Sequence, residues 1–535
     1  MRKRHLEDRL KSAGTRTGCG SGEKLRKADV AMAVVLFAAA LALRIPFRSQ
    51  FAYHWDSAQF ALAINEYDIR LSQPHAPGYF LYIMLGRLVN GLVGDPHASL
   101  VWISVVFGSA LPAVVYLLAT AMFGRKAGVT AGLLALTSPQ VWFHSCVALT
   151  YCVDSFLVCT VVLVLWRAME RGGGWRDAIV VGALLALIGG VREQSVPALV
   201  PLVVFAFWRF ERARLAKLAT VSVVAVGLGI LWFVPMVRTS GGLRTYLDIV
   251  HLHAASNAST YFPGGGLDAL LKNVANITGF CGNGLMLGAV VLFVAHLHRA
   301  FRMTAEQKSS WDSEHASGLV VLALWIVPMM ILGTVFVTNQ PGHVLSYLPG
   351  WFVLLGAVVA SLQSKWCRTA VIAVICAGNV VAFAVWPPQW DGLFFGMART
   401  AHAIAEHDAQ LMQIAGTIRR SYSPKSVVLC FSEEYYLCGL RHFQLILPEY
   451  EQYQFVVDGT ALHPPGKPMW LVRNGHLEFV DKLNIDGKEG VVLVVPPGEK
   501  LEIFAPYLSL ASAKVLPQSE NDLYFIPTEA VKLLR

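Results

Sequence analysis

The sequence predicts an α-helical polytopic membrane protein with about eleven spanning helices and a C-terminal soluble α/β domain. Of its 535 residues, 55% are hydrophobic and 15% are charged, whereas an ordinary soluble domain carries about 25% charged residues. Apolar runs that would let a helix of about 20 residues cross a bilayer recur along the chain. The composition therefore excludes a soluble enzyme with one hydrophobic core.

The basic residues concentrate at the N-terminus and in short segments between the apolar runs. Residues 1–28 hold nine Lys or Arg against three acidic residues, within a net charge of +9. Such an excess is typical of the cytoplasmic side of membrane proteins, so it does not indicate nucleic-acid binding. No cleavage site of the A-x-A type follows the first apolar run, so we expect an uncleaved signal anchor and a basic cytoplasmic N-terminus.

Eleven spans are predicted within residues 29–386. Residues 79–94 are apolar but short, and they contain Arg87 and Asn90, so this segment is either a span or a helix in the interface. The interfacial interpretation puts every cationic turn on the cytoplasmic side and the C-terminal region outside. The predicted spans are then about 29–45, 98–122, 127–149, 154–169, 176–191, 195–210, 218–237, 276–298, 316–337, 343–362 and 368–386.

Residues 387–535 are predicted to form an extracytoplasmic α/β domain. The runs SVVLCF and GVVLVV indicate buried strands flanked by helical stretches. Of the nine cysteines, which show no C-x-x-C spacing, Cys430 and Cys438 lie near each other in this region. They could form a disulfide outside the cytoplasm, and pairing is left open.

Three charged residues at the outer ends of spans are candidates for chemistry. Asp56 is either a general base held at the membrane surface or the N-cap of a helix that begins at Ser57. Asp154 is either an N-cap or a functional carboxylate at membrane depth. Arg192 could bind a phosphate through paired hydrogen bonds, or it could contact lipid headgroups together with Glu193.

Histidines form a second group of candidates. His251 and His253 have the spacing of one face of an extended strand, which would suit a metal, although no partnering ligand pair lies nearby. His343 follows a Pro-Gly turn at the start of a span, and Tyr347 one turn later could face the same cavity. The alternative is that His343 is a turn residue at the headgroup level. His75 lies in the same polar stretch as Asp56.

The order of these motifs over residues 30–390 resembles the GT-C class of polyprenyl-phosphate-dependent glycosyltransferases. The resemblance is particularly to bacterial relatives of protein O-mannosyltransferases and lipid A aminoarabinose transferases. One departure is Ser57, because many relatives have an acidic residue directly after the first-loop Asp. The motifs are Asp56 after the first span, the Pro-His-Ala-Pro-Gly-Tyr segment 74–79, Asp154 opening a later span, the loop beginning Ser240-Gly241-Gly242, and the turn 340–343 before Tyr347.

The resemblance implies transfer of a sugar from a polyprenyl-phosphate donor to an acceptor hydroxyl on the outer, periplasmic face. Asp56 would act as base in an inverting single displacement, and Arg192 or His343 would hold the leaving phosphate. Asp154 would bind sugar hydroxyls or orient the first loop. His75 and Tyr347 complete the expected substrate-binding residues.

The resemblance also implies a multi-pass protein of the bacterial inner membrane that works on an unknown protein, lipid or glycan acceptor. No cofactor or metal ligand is assigned, and a divalent metal is the one cofactor left open. A transporter or flippase of a lipid-linked or small anionic substrate is the alternative function. It is less favoured because no internal repeat is found and the polar residues gather on one face rather than at the midplane.

Overall fold

The computed structural model describes residues 26–210, 212–301, 305–336, 340–385, 399–431, 437–454, 469–495, 509–516 and 523–531. The basic segment up to residue 25 lies outside the described residues, so its predicted cytoplasmic location stays a prediction.

Helices account for most of the described chain as far as residue 384. Six of them are long and apolar enough to cross a membrane, or seven if the bent pair α12 and α13 forms one span. The chain is therefore a multi-pass membrane protein, and the predicted count of eleven spans stays a prediction. The helices are α1 (Lys27–Arg44), α2 (Trp55–Asn65), α3 (Phe80–Val93), α4 (Pro96–Phe123), α5 (Arg125–Thr137), α6 (Pro139–Cys146), α7 (Tyr151–Arg171), α8 (Trp175–Arg192), α9 (Ser195–Trp208), α10 (Arg214–Thr239), α11 (Leu243–Ser256), α12 (Phe262–Leu285), α13 (Leu287–Phe301), α14 (Ala305–Val335), α15 (Leu348–Ala360) and α16 (Lys365–Ala384).

Two predicted spans are broken in the structure. The run 127–149 was expected to be one helix, but α5 ends before Ser138 and α6 begins at Pro139. Proline lacks the N–H of a helix interior and disfavours the helical conformation of the residue before it, so a break is expected there. The run 276–298 falls on α12 and α13, which bend by 102°. The interfacial location of α3, which has 14 residues, stays a prediction.

Close packing of small residues brings the central helices together. A Cβ atom at Gly356 of α15 would lie 2.6 Å from the carbonyl oxygen of Ala127 in α5. Glycine is therefore required for this approach of the two backbones, as in other packed membrane helices. The largest buried apolar cluster runs through α4, α5, α7 and α15.

The C-terminal region forms a seven-stranded mixed sheet in the order β4-β3-β2-β1-β5-β7-β6, in which β1 is parallel to β2 and β5. All five residues of β1 are buried, because its side chains alternate between two apolar clusters. The predicted strands SVVLCF and GVVLVV are confirmed as β1 and β5. The strands are β1 (Val427–Phe431), β2 (Gln452–Gln454), β3 (Met469–Arg473), β4 (His476–Val480), β5 (Gly490–Val494), β6 (Lys514–Val515) and β7 (Leu523–Pro527).

Helices α17 (Ala401–Ser421) and α18 (Leu440–Ile446) cover one face of this sheet. The sheet and its helices match the predicted α/β organisation. Cys430 and Cys438, both in the described part of the chain, are not joined by a disulfide.

Candidate functional site

The polar loop between α1 and α3 places Asp56 in the first turn of α2. His54 is the N-cap of this helix, because its Nδ1 accepts the backbone N–H of Asp56 at 3.2 Å. The predicted capping role of Asp56 is therefore wrong, since the helix begins two residues earlier than expected. The carboxylate of Asp56 therefore does not cap the helix and can interact with neighbouring side chains.

Two imidazoles flank the Asp56 carboxylate. Its Oδ2 lies 3.6 Å from Nδ1 of His54, and its Oδ1 lies 3.8 Å from Nδ1 of His75. Burial pushes the pKa of Asp56 up, but His75, His54, His253 and Arg192 outweigh this effect and hold the pKa below its ordinary value. The carboxylate is therefore ionised at neutral pH.

His75 is held between two partners. Its Nδ1 lies 2.5 Å from Oε1 of Gln59, and its Nε2 lies 3.1 Å from the hydroxyl of Tyr79. An amide oxygen can only accept, so Nδ1 of His75 donates to Gln59. Burial lowers the pKa of His75, against the opposite influence of Asp56. His75 is thus held in a fixed orientation beside the carboxylate.

Arg192 ends α8 with its guanidinium fixed on several sides. The group lies 4.7 Å from the centre of the Tyr151 ring and donates to Oγ1 of Thr150 at 3.3 Å. When the Gln194 amide is oriented to satisfy its neighbours, its oxygen accepts from Nη2 of Arg192 at 2.8 Å and its nitrogen donates to Glu193. These contacts set the plane of a buried cation.

Asp154 lies behind this arginine. Its Oδ2 accepts a hydrogen bond from Oγ of Ser195 at 3.0 Å. The side chain is in the first turn of α7, which begins at Tyr151. Asp154 is therefore not the N-cap.

A cavity of about 670 Å³ brings together four of the six predicted site residues, namely Asp56, His75, Arg192 and His343. Asp154 does not line it. The wall of the cavity also contains residues to which the sequence analysis assigned no role in this site, namely His54, Tyr79, Tyr151, Glu193, His253, Gln340 and Arg399.

The interpretation that His251 and His253 share one face of an extended strand is wrong. They lie on helix α11 rather than on a strand, and residues two apart on a helix do not face the same way. His253 alone reaches the cavity, with its ring centre 5.7 Å from that of His75. Among the described residues, no group of three or more His, Cys, Asp or Glu side chains is arranged to hold a metal ion.

A small pocket adjoins the cavity and shares Arg192, Gln194, Gln340 and His343 with it. Apolar side chains of α12 and α14, such as Phe280 and Met329, supply much of its wall. Tyr347 lines this pocket rather than the main cavity, so the prediction that it shares one cavity with His343 holds only for the smaller space. The polar cavity thus continues between two apolar helices.

Comparisons with known proteins show what the chain is similar to. Residues 74–238 match the family described as dolichyl-phosphate-mannose-protein mannosyltransferase. This match covers less than half of the chain, and it agrees with the resemblance to GT-C membrane glycosyltransferases described above.

The chain is similar in fold to ArnT from Cupriavidus metallidurans, which has been solved in two states. The structure bound to undecaprenyl phosphate is 14% identical, with a TM-score of 0.53, over 93% of this chain and 97% of that chain. The apo structure is 13% identical, with a TM-score of 0.53, over 94% of this chain and 98% of that chain. No curated protein gives a significant match.

Proposed function

We propose that the protein transfers a sugar from a polyprenyl-phosphate donor to an acceptor hydroxyl at the outer, periplasmic face of the membrane. The observation that carries the proposal is that the carboxylate of Asp56 and the guanidinium of Arg192 line one cavity. That cavity adjoins a small pocket to which α12 and α14 contribute apolar side chains. A base, an anion site and a place for a lipid are thus adjacent.

Asp56 is the base in a single displacement with inversion. Its carboxylate takes the proton of the acceptor hydroxyl while that oxygen bonds to the anomeric carbon. The bond between the anomeric carbon and the phosphate oxygen breaks, and polyprenyl phosphate leaves with the electron pair and one additional negative charge. The ionised state of Asp56, which follows from its lowered pKa, suits this role.

Arg192 stabilises the leaving phosphate. A planar guanidinium can donate two parallel hydrogen bonds to phosphate oxygens, and Tyr151 with Thr150 already fixes its plane. His343 offers a second contact, because its buried Nδ1 has no hydrogen-bond partner among the described residues. Asp154 then acts through Ser195 and Arg192 rather than on the sugar, and His75 orients Asp56.

The small pocket between α12 and α14 marks the side from which the lipid chain would approach the cavity. Side chains such as Phe280 and Met329 offer an apolar surface next to Arg192, and Tyr347 lies at the same place. The bound undecaprenyl phosphate in the ArnT structure supports a polyprenyl phosphate as the carrier. The donor would keep its tail in the bilayer while its head reaches the cavity.

The test is sugar release by purified protein in lipid nanodiscs, from radiolabelled polyprenyl-phosphate donors that carry mannose, another hexose or a pentose. Water serves as the surrogate acceptor. Asp56→Asn should slow release by about 10²- to 10⁴-fold, the usual contribution of a general base. Glu66→Gln is the matched control, because Glu66 lies on the same loop, is 47% exposed and faces His476 outside the cavity.

Binding of undecaprenyl phosphate separates the possible outcomes. Asp56→Asn should bind it as the wild type does, because Arg192 is unchanged. Full turnover in Asp56→Asn would remove Asp56 as the base. Absence of turnover in the wild type with every donor, while undecaprenyl phosphate still binds, would favour a transporter or flippase.

A further inference from the structure

The C-terminal domain holds the loop that carries Asp56 through a buried carboxylate. Asp408 of α17 accepts the backbone N–H of Gln50 on Oδ2 at 2.8 Å and that of Phe51 on Oδ1 at 3.1 Å. Asp408 is 6% exposed. The two amides lie between α1 and α2, where no helix or strand supplies partners. One side chain therefore satisfies two consecutive backbone donors.

A second contact lies next to Asp56 itself. Trp55 is 2% exposed and belongs to the apolar cluster of the C-terminal domain. Its ring is stacked on that of Trp470 in β3, with 6.5 Å between centroids and 20° between planes. The residue that precedes the base is thus part of the core of the domain.

A third contact lies after α2. The guanidinium of Arg441 in α18 lies 4.5 Å from the centre of the Trp470 ring and donates to the carbonyl oxygen of Leu71. The loop is therefore held before, beside and after Asp56. The remaining ion pair, Glu66 with His476, has side chains that are 47% and 80% exposed, and such surface pairs contribute little.

The domain also forms part of the cavity wall. Leu437 and Tyr53 both line the cavity. His407 connects them, because its Nε2 donates to the carbonyl oxygen of Leu437 at 2.6 Å and its ring lies 4.9 Å from that of Tyr53. Movement of the domain would therefore change the cavity beside Asp56 as well as the loop.

From these contacts we infer that the C-terminal domain fixes Asp56 in its reacting position, with Asp408 as a positioning residue. This inference rests on the proposed function. The irregular backbone of residues 48–54 has few internal hydrogen bonds to set its path, whereas Arg192 is held by its own neighbours on α7 and α8. Loss of the Asp408 contact should displace the base and leave the phosphate site in place. A displacement of about 1 Å can cost about 10²-fold in rate.

The test is Asp408→Asn in the full chain in nanodiscs, with the donor that gives the highest wild-type turnover. An amide offers one accepting oxygen in place of two, so one of the two backbone donors loses its partner. We expect kcat to fall by about 10- to 100-fold while the Kd for undecaprenyl phosphate stays within about twofold. Hydrogen exchange of the Gln50 and Phe51 amides should become faster.

Glu449→Gln is the matched control. It removes a carboxylate from the same domain, where Glu449 accepts from Arg419 at 2.8 Å, and it touches neither the loop nor the cavity. Its kcat and the exchange of the two loop amides should equal those of the wild type. If Asp408→Asn does not fold, Arg441→Lys is the second variant, because it keeps the charge and alters the contact with Leu71. It should show the same selective loss of kcat.

A double variant distinguishes positioning from a general loss of structure. Because Asp408 acts through Asp56, Asp56→Asn with Asp408→Asn should be no slower than Asp56→Asn alone. Additive losses, or a normal kcat in Asp408→Asn despite faster exchange, would overturn the inference. If the wild type releases no sugar, the proposed function fails. In that case, unchanged exchange of the Gln50 and Phe51 amides in Asp408→Asn would also show that Asp408 does not fix the loop.

Discussion

At the scale of single residues, the proposed role of Arg192 as a phosphate ligand depends on the groups that set its orientation. The ring of Tyr151 lies 4.7 Å from the guanidinium, and Thr150 accepts one of its N–H groups. Because these contacts are made before any ligand arrives, little side-chain freedom remains to be lost on binding. The planar shape of the guanidinium should therefore contribute as much to phosphate binding as its charge does.

Arg192→Lys tests this point by keeping the charge and removing the planar fork. We expect the Kd for undecaprenyl phosphate to rise about tenfold, which corresponds to about 1.4 kcal/mol. Arg244→Lys on α11 is the control, because Arg244 is exposed and does not line the cavity. Titration of each variant in nanodiscs with undecaprenyl phosphate measures its Kd. Equal affinities for Arg192→Lys and wild type would contradict the role of the planar guanidinium.

Sequence reasoning could place Asp56, Arg192 and His343 together because each follows or ends an apolar run on the same predicted side of the membrane. It could not place Arg399, which lies beyond the last predicted span and carries no motif. The guanidinium of Arg399 comes within 5.7 Å of the Phe143 ring centre only because the C-terminal domain packs on the first loop. Contacts between residues so far apart in the sequence produce no local periodicity from which they could be predicted.

At the scale of elements, breaks in the apolar helices create the cavity wall. The segment 341–346 forms a 3₁₀ turn before α15, and its Pro341 carbonyl accepts a hydrogen bond from Gln140 of α6. Hydropathy alone predicted continuous spans here and at 127–149, because an average over a whole span hides a short polar break such as that at Ser138. The prolines mark these breaks, whereas the bend between α12 and α13 at Met286 has no proline and lies between Gly284 and Gly288.

Gly342 should tolerate no side chain at this turn. A Cβ atom there would lie 2.1 Å from Cδ2 of Tyr151, so the ring that supports Arg192 would have to move. Gly342→Ala should lower stability by about 1–3 kcal/mol, the usual cost of overpacking, and should slow sugar release. Thermal unfolding and the release assay measure these effects.

Gly91→Ala in α3 is the matched control for that change. A Cβ atom at Gly91 meets nothing within 4 Å, and alanine favours a helix over glycine by roughly 0.5–1 kcal/mol. Its stability should equal or exceed that of the wild type, with unchanged turnover. A Gly342→Ala protein as stable and active as Gly91→Ala would show that the Tyr151 ring is not fixed.

At the scale of the whole molecule, composition and the recurrence of apolar runs were enough to predict a polytopic protein with a mixed α/β region after the last span. The predicted boundaries at residues 28 and 386 stay predictions. The way the two parts pack was not predictable, because the contacts of Asp408 with Gln50 and Phe51 join segments more than 350 residues apart. Packing of the domain on this loop requires both to lie on the same side of the membrane.

Reporter fusions test the predicted orientation. Alkaline phosphatase fused after residue 400 should be active, because an odd number of spans with a cytoplasmic N-terminus puts the C-terminal domain outside. The same reporter inserted at the turn 172–174, between α7 and α8, should be inactive because Arg167, Arg171 and Arg176 surround this turn. The reverse pattern of activity would place the cavity on the cytoplasmic face.

The placement of Trp55 in the core of the C-terminal domain also has a consequence for biosynthesis. The residues around Trp55 in that core extend to Leu523, so the ribosome must finish nearly the entire chain before the loop can settle. A nascent chain with all its apolar helices already inserted would still lack the support beside Asp56. In the proposed function, the position of Asp56 would therefore become fixed only late in synthesis.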